Sequence, residues 1–230
     1  MKIERSFSQN AKDYEEVNTI QKKVVEQMCH HIKEQPRTIL DIGCGSGSFY
    51  KRANWPIEEF VGIDFAQGML NEHPKDDNIT LYLADFNQKE TFKMLKEHHQ
   101  FERIVSASAL QWATNLDATL HEIASFQTPV TLAIFTANTF KTLYQTAQIP
   151  PLLRGANEVE NLLRKHFPKG ELHYLHYKKE FASVREIFRY MKKSGVGAGR
   201  NLLGYKEMKW LMQHYPHHFL EYEIILLHEA

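Results

Sequence analysis

Five short runs of almost unbroken apolar residues set the tightest limit on what this chain can become. They are TILDIG (38–43), FVGIDF (60–65), ITLYLAD (79–85), RIVSASAL (103–110) and VTLAIFTAN (130–138). A strand with one wet face alternates apolar and polar residues, whereas a strand covered on both faces has no such need. These runs therefore predict strands buried in a mainly parallel sheet. Helical stretches near 47–54, 67–72, 88–99 and 115–126 separate them, and the alternation predicts an α/β fold with right-handed crossovers and helices on both faces. An amphipathic helix precedes the first strand near 10–34. Val17, Ile20, Val24, Met28 and Ile32 share its apolar face, and Pro36 follows its end.

The last third departs from this rhythm. IPPLLRG (149–155) interrupts it, a helix follows near 158–167, and ELHYLHYKKEF (171–181) reads as a strand. Ser183 and Glu186 have the S-x-x-E spacing of a capping box, in which the serine caps the helix and the glutamate reaches back. Val184, Ile187, Phe188 and Met191 form the apolar face of that helix, and Gly195 ends it. A further helix near 204–215 and the strand YEIILLHE (222–229) complete the chain. Residues 1–230 are expected to form a single domain. Residues 1–35 are its N-terminal helical lid, and the segments at 139–166 and 183–215 lie over the substrate side.

Composition narrows the class. The 230 residues carry 28 basic and 28 acidic side chains, which argues against bulk binding to nucleic acid or a membrane surface. No apolar run approaches the roughly 20 residues of a membrane-spanning helix. The opening MKIERSFSQNAKDYEE has no apolar core with a cleavage site, so no secretory signal is read there. Two cysteines, Cys29 and Cys44, give no disulfide framework, and a cytoplasmic location is expected. The 13 histidines include the adjacent pairs His30-His31, His98-His99 and His217-His218, which diverge on a helix, and no metal is expected.

Chemistry concentrates at the ends of the first three strands. ILDIGCGSGSF (39–49) runs from a strand into Gly43, Gly45 and Gly47. Glycine is required where backbone takes positive φ or passes close to a ligand. The dinucleotide fingerprint would place its third glycine at Ser48, so a nicotinamide cofactor, another nucleoside or a purely structural turn all stand at this point. Asp64, about twenty residues past Gly43, is placed to accept from ribose hydroxyls in either kind of nucleoside site, or to cap the following helix.

Taken with Asp41, the D-x-G-x-G-x-G turn resembles motif I of the Rossmann-like, S-adenosylmethionine-dependent methyltransferases. That resemblance implies a seven-stranded sheet with an antiparallel C-terminal strand. It implies that the glycines admit the methionine part of the cofactor and that Asp41 helps fix the loop or the cofactor's amino group. Asp85, at the end of the third strand, would accept from the adenine amino group, with Phe86 covering the ring. Gln21, Phe65, Met69 and Ser106 complete the implied cofactor surroundings, and S-adenosylhomocysteine is the product.

Three further segments are similar to the malonyl-carrier-protein O-methyltransferases of biotin synthesis. Gln111 and Trp112 stand in an LQW sequence after the fourth strand. Arg5, Phe7, Ala11, Tyr14 and Gln21 match that family's N-terminal pattern in order, with Asn18 where alanine is usual. GVGAGRNLLGYKEMKWL and LEYEIILLHE match its C-terminal segments, while ASFQTPVTL departs from its usual L-K-P-G-G. The resemblance implies methyl transfer to the free carboxylate of a malonyl thioester, carried by acyl carrier protein or coenzyme A. Such a carboxylate is already ionised at neutral pH, so no general base is required. Tyr14, Gln111, Trp112 and Arg200 would position it, with Arg154 the second choice of arginine. Arg185, Arg189, Lys192 and Lys193 share one helix face that would suit an acidic carrier, and that equally reads as a solvated face. A small-acid (trans-aconitate type) methyltransferase, a quinone-type C-methyltransferase, an NAD-dependent oxidoreductase and a non-catalytic module of this fold are the competing readings.

Overall fold

The computed structural model describes residues 18–194 and 205–230. Its strands are β1 (Thr38–Ile42), β2 (Glu59–Asp64), β3 (Ile79–Leu83), β4 (Arg103–Ala107), β5 (Val130–Phe135), β6 (Glu171–Glu180) and β7 (Phe219–His228). They form one sheet in the order β3-β2-β1-β4-β5-β7-β6. The first five pair in parallel, and β7 alone runs against its neighbours β5 and β6. The expected seven-stranded sheet with an antiparallel C-terminal strand is the fold observed.

Eight helices accompany the sheet among the described residues: α1 (Thr19–His31), α2 (Gln67–Asn71), α3 (Lys89–His98), α4 (Leu116–Ala124), α5 (Lys141–Ala147), α6 (Ala156–His166), α7 (Val184–Ser194) and α8 (Tyr205–His214). Strand periodicity sorts the apolar runs between two cores. Ile39, Phe60, Val105, Ala133 and Ile224 face one side, where α1, α5, α7 and α8 contribute Val24, Leu143, Ile187 and Leu211. Their chain neighbours Leu40, Val61, Ile104, Leu132 and Ile225 face the other, against Leu95 of α3, Leu120 of α4 and Leu163 of α6. Both faces are covered, which is why the runs show no polar alternation.

Three local expectations are revised. The stretch near 47–54 forms successive turns, not a regular helix. Gly47 enters it at φ +80°, and two isolated bonds of α-helical span, from the Lys51 amide to the Gly47 carbonyl and from the Ala53 amide to the Phe49 carbonyl, are mixed with a shorter one from the Arg52 amide to the Phe49 carbonyl. Of residues 139–166, α5 lies on the side facing the crevice described below, but α6 packs with α4 on the opposite face. The capping box before α7 is offset. The Ser183 hydroxyl accepts from the Glu186 amide at 3.3 Å, while the Glu186 carboxylate reaches one residue further back, to the Ala182 amide at 3.2 Å. The described part of the N-terminal helix, α1, buries Ile20, Val24, Val25 and Met28 against the sheet.

Candidate functional site

The carboxyl edge of β1 carries the glycine turn, and all three glycines have positive φ: +74°, +55° and +80°. They do different work. A Cβ on Gly43 would stand 2.2 Å from that of Ala109, so this glycine lets the β1 and β4 exits pack together. A Cβ on Gly45 would meet only the flexible end of Met69, at 3.2 Å, and its backbone borders open space. The amides of Gly43 and Cys44 both donate to the Ile63 carbonyl, and the Gly45 amide donates to Asp64 Oδ2 at 3.0 Å. Asp64 Oδ1 accepts from the Ala66 amide at 2.8 Å, so this carboxylate ties the turn to β2 and forms an Asx turn ahead of α2.

The space beside the turn is a crevice of about 690 Å³, including its solvent-open part. Asp41, Gly43, Gly45, Asp64, Phe65, Met69 and Phe86 line it, as do Gln21 and Asn18 from the start of α1. A second chamber of about 540 Å³ adjoins it and shares Gln21, Ser108 and Trp112 with it. Gln111, Phe135, Phe140, Tyr144 and Tyr222 are among its walls. Ser108 (φ +63°) and Phe140 (φ +59°) hold left-handed backbone at the chamber edges, a conformation uncommon for non-glycine residues.

The remaining expected residues lie close by in other roles. Asp85 is outside the crevice lining; its Oδ1 accepts from the amide and side chain of Asn87, both at 2.8 Å. Asn87 Oδ1 in turn accepts from the Thr114 amide at 2.7 Å, fastening the loop that follows Trp112. Ser106 is fully buried and donates to the Ile42 carbonyl at 2.7 Å, joining β4 to β1 behind the crevice. Gly47 packs against His73 and Pro74. Tyr14 and Arg200 lie outside the described residues. Arg154 faces the loop around Trp112 and not the chamber: it donates to the carbonyls of Gln111 (3.4 Å), Ala113 (2.6 Å) and Thr114 (3.3 Å) and pairs with Glu158. It is a staple for that loop, and as the second choice of arginine for a substrate carboxylate it stands outside the lining of both chambers.

Electrostatics separate the two cofactor classes that the turn alone admits. Among the described residues the crevice is lined by Asp41 and Asp64 and by no lysine, arginine or histidine. Burial, then the nearby Asp64, pushes the Asp41 carboxyl up to about 8. Burial raises Asp64 to about 6, against the lowering effect of backbone amides, among them Ala66 and Gly45. Behind the turn there is no regular helix whose N-terminus would stabilise a pyrophosphate. The site suits a ligand that brings positive charge. Five buried oxygens lining the two chambers have no hydrogen-bond partner: Asn18 Oδ1, Gln21 Oε1, Asp41 Oδ1, Ser108 Oγ and Gln111 Oε1. Buried polar atoms are seldom left so, and a cluster of them is where ordered water or a bound molecule completes the set.

Residues 39–129 match the family model described as a methyltransferase domain. That match takes in the glycine turn and strands β1 to β4 of a Rossmann-like fold. The donor set fits the S-adenosylmethionine that the sequence resemblance implies, since that molecule carries a sulfonium and an ammonium and the crevice offers carboxyl groups and unpaired acceptors. A malonyl-[acyl-carrier protein] O-methyltransferase of Anoxybacillus flavithermus is 30% identical over 127 residues, 53% of this chain and 47% of that protein, so the match spans about half the relative's length. Its namesake from Halalkalibacterium halodurans is 25% identical over 222 residues, covering 84% of this chain and 81% of the relative. Among solved structures, the YcgJ protein of Bacillus subtilis superposes with a TM-score of 0.62 at 11% identity, over 90% of this chain and 99% of that one.

Asn18, Ser108, Phe140 and Tyr222 escape a reading by sequence pattern. They come from four distant segments, and no short motif joins them. A faint signal existed at Asn18, which stands where the resembled family has alanine.

Proposed function

We propose that this protein transfers a methyl group from S-adenosylmethionine to the free carboxylate of a malonyl thioester on acyl carrier protein, giving the methyl ester early in biotin synthesis. The observation that carries the reading is the pair of adjoining chambers that share Gln21, Ser108 and Trp112. One chamber suits a cationic nucleoside, and the other borders it where an acceptor must stand. The names of the relatives support malonyl-carrier protein as that acceptor.

S-adenosylmethionine supplies a methyl group on a positively charged sulfur. The chain's own residues orient and enclose. The Gly45 backbone lets the methionine part approach, Phe86 and Met69 cover apolar surface, and Trp112 stands at the junction of the chambers. An acceptor carboxylate arrives ionised, so its alignment and the exclusion of water govern the rate. The Ser108 hydroxyl, at the shared wall, is a donor within the site's own lining. Arg185 and Arg189 are exposed on α7, opposite buried Ile187 and Tyr190, and fit the approach of an acidic carrier.

Methyl-labelled S-adenosylmethionine with malonyl-acyl carrier protein tests the reading. Label on the thioester that mild base removes is expected. Label on a free small acid, with none on the malonyl thioester, overturns it. One observation favours a second reading. Phe135, Phe140, Tyr144 and Tyr222 make the second chamber aromatic, which suits a planar quinone-type acceptor. That product would hold its label through base treatment.

A further inference from the structure

Asparagine is among the residues best suited to cap a helix, because its side-chain oxygen accepts from an amide of the first turn. Asn18 occupies the N-cap of α1, yet its side chain makes no capping bond. Its backbone carbonyl alone enters the helix, accepting from the Lys22 amide at 3.1 Å. The side chain instead lines the crevice, the residue is 7% exposed, and Oδ1 is buried with no partner. The best local partner has been forgone, and no other group among the described residues replaces it.

Two more unpaired acceptors line the same crevice. Gln21 Oε1 lies one turn further along α1, and Asp41 Oδ1 belongs to a residue only 2% exposed at the end of β1. All three are acceptors once Asp41 is ionised, and no cationic side chain among the described residues lines the crevice to satisfy them. A group with three N–H donors and a positive charge meets this set, and an alkylammonium is such a group.

We propose that Asn18 is a cofactor-binding residue that, with Gln21 and Asp41, receives the α-ammonium group of the cofactor's amino-acid part. The proposal rests on the S-adenosylmethionine reading of the crevice and adds which end of that molecule α1 holds. It gives α1 two tasks, since Ile20, Val24, Val25 and Met28 anchor the helix in the core while its first turn contacts the ligand.

Calorimetry on the full-length protein with two probes tests it. S-adenosylhomocysteine carries the amino-acid part; 5′-methylthioadenosine keeps the nucleoside and sulfur without it. Asn18→Ala is expected to weaken S-adenosylhomocysteine about tenfold and to leave methylthioadenosine within twofold. Asn18→Asp keeps an acceptor and is expected to bind S-adenosylhomocysteine more tightly than Asn18→Ala does. Equal losses for both probes, or no loss for either, overturn the proposal. So does an Asn18→Asp protein weaker than Asn18→Ala, because the amide would then be donating. Melting of the ligand-free variants shows whether Asn18 serves the fold: a lowered midpoint in Asn18→Ala together with equal losses for both probes assigns it a capping role. Should neither probe bind the unaltered protein, the cofactor reading itself fails, a result distinct from any pattern among the variants.

Discussion

The Gly45 amide donates to Asp64 Oδ2 across 3.0 Å, joining the glycine turn after β1 to the end of β2. Two features that look independent in the sequence are thus one unit. Asp64 holds the turn open beside the crevice and also steadies the start of α2 through the Ala66 amide. A carboxylate can accept several hydrogen bonds, so both oxygens retain capacity for ribose hydroxyls.

Asp64→Ala removes both backbone anchors. Hydrogen bonds to a charged group contribute about 1.5–3 kcal/mol each, and relief of a buried carboxylate offsets part of that loss. The expected net destabilisation is about 2 kcal/mol in urea unfolding, with Asp64→Asn intermediate because it keeps one acceptor oxygen. Equal stability of Asp64→Ala and the unaltered protein would show that the turn holds its shape without this residue.

The glycines should separate by function. Gly43→Ala combines left-handed backbone strain of about 1–2 kcal/mol with a 2.2 Å clash against Ala109. Overpacking in a core adds about 1–3 kcal/mol. Gly45→Ala has the strain but meets only the end of Met69. Gly43→Ala is expected to unfold at clearly lower denaturant, and Gly45→Ala to stay within about 2 kcal/mol of the parent while losing S-adenosylhomocysteine affinity. The reverse ranking in paired unfolding and binding curves would refute this division.

Much of the fold was legible because burial on both faces leaves a plain trace. Leu40 and Ile39 point to different cores, and both must be apolar. The cofactor edge was legible because Asp41, Gly43, Gly45 and Asp64 crowd two strand ends that a parallel sheet brings together. The acceptor side was not. Tyr144 and Tyr222 meet only because β7 returns beside β5, and no local period encodes that meeting. The turns at 47–54 were misread because their composition suits a helix, while Gly47 at φ +80° is set by packing against His73 and Pro74. The part Arg154 plays was not legible, because sequence shows a cation near the site without showing that it donates to the carbonyls around Trp112.

Arg154 should therefore act through the loop it fastens. Its guanidinium reaches three carbonyls between Gln111 and Thr114, and the Arg154 carbonyl accepts from the Ala137 amide at 2.7 Å. Arg154→Ala frees this staple and lets Gln111 and Trp112 shift. Misplacement of about 1 Å can lower a rate by a factor on the order of 100. The expected signature is a fall in kcat/KM for the acceptor with S-adenosylhomocysteine affinity changed less than threefold, and partial recovery in Arg154→Lys. A matching loss of cofactor affinity would place its effect on the whole domain instead.

Asp41 gives the protein a pH dependence with a definite sign. Its folded value, about 8, lies above the ordinary aspartate value of 3.8, so between those limits the folded state holds a proton that the unfolded chain has lost. Stability then falls as pH rises, by up to about 1.4 kcal/mol per pH unit for one proton, and the loss levels off above pH 8. Asp64, raised to about 6, adds to the slope mainly at the acid end, while His31, His73 and His228, held below their ordinary value by burial, oppose it near neutral pH, so the Asp41 share of the window from pH 6 to 8 is read as the difference from an Asp41 variant. Asp41→Asn should flatten the ligand-free stability profile in that window. The ligand's α-ammonium favours the ionised acid, so S-adenosylhomocysteine affinity should rise with pH over the same range, with up to one proton released on binding. Calorimetry at pH 7 in two buffers of different ionisation heat measures that release directly. Its persistence in Asp41→Asn would assign the proton to another group and remove Asp41 from the ligand's charge balance.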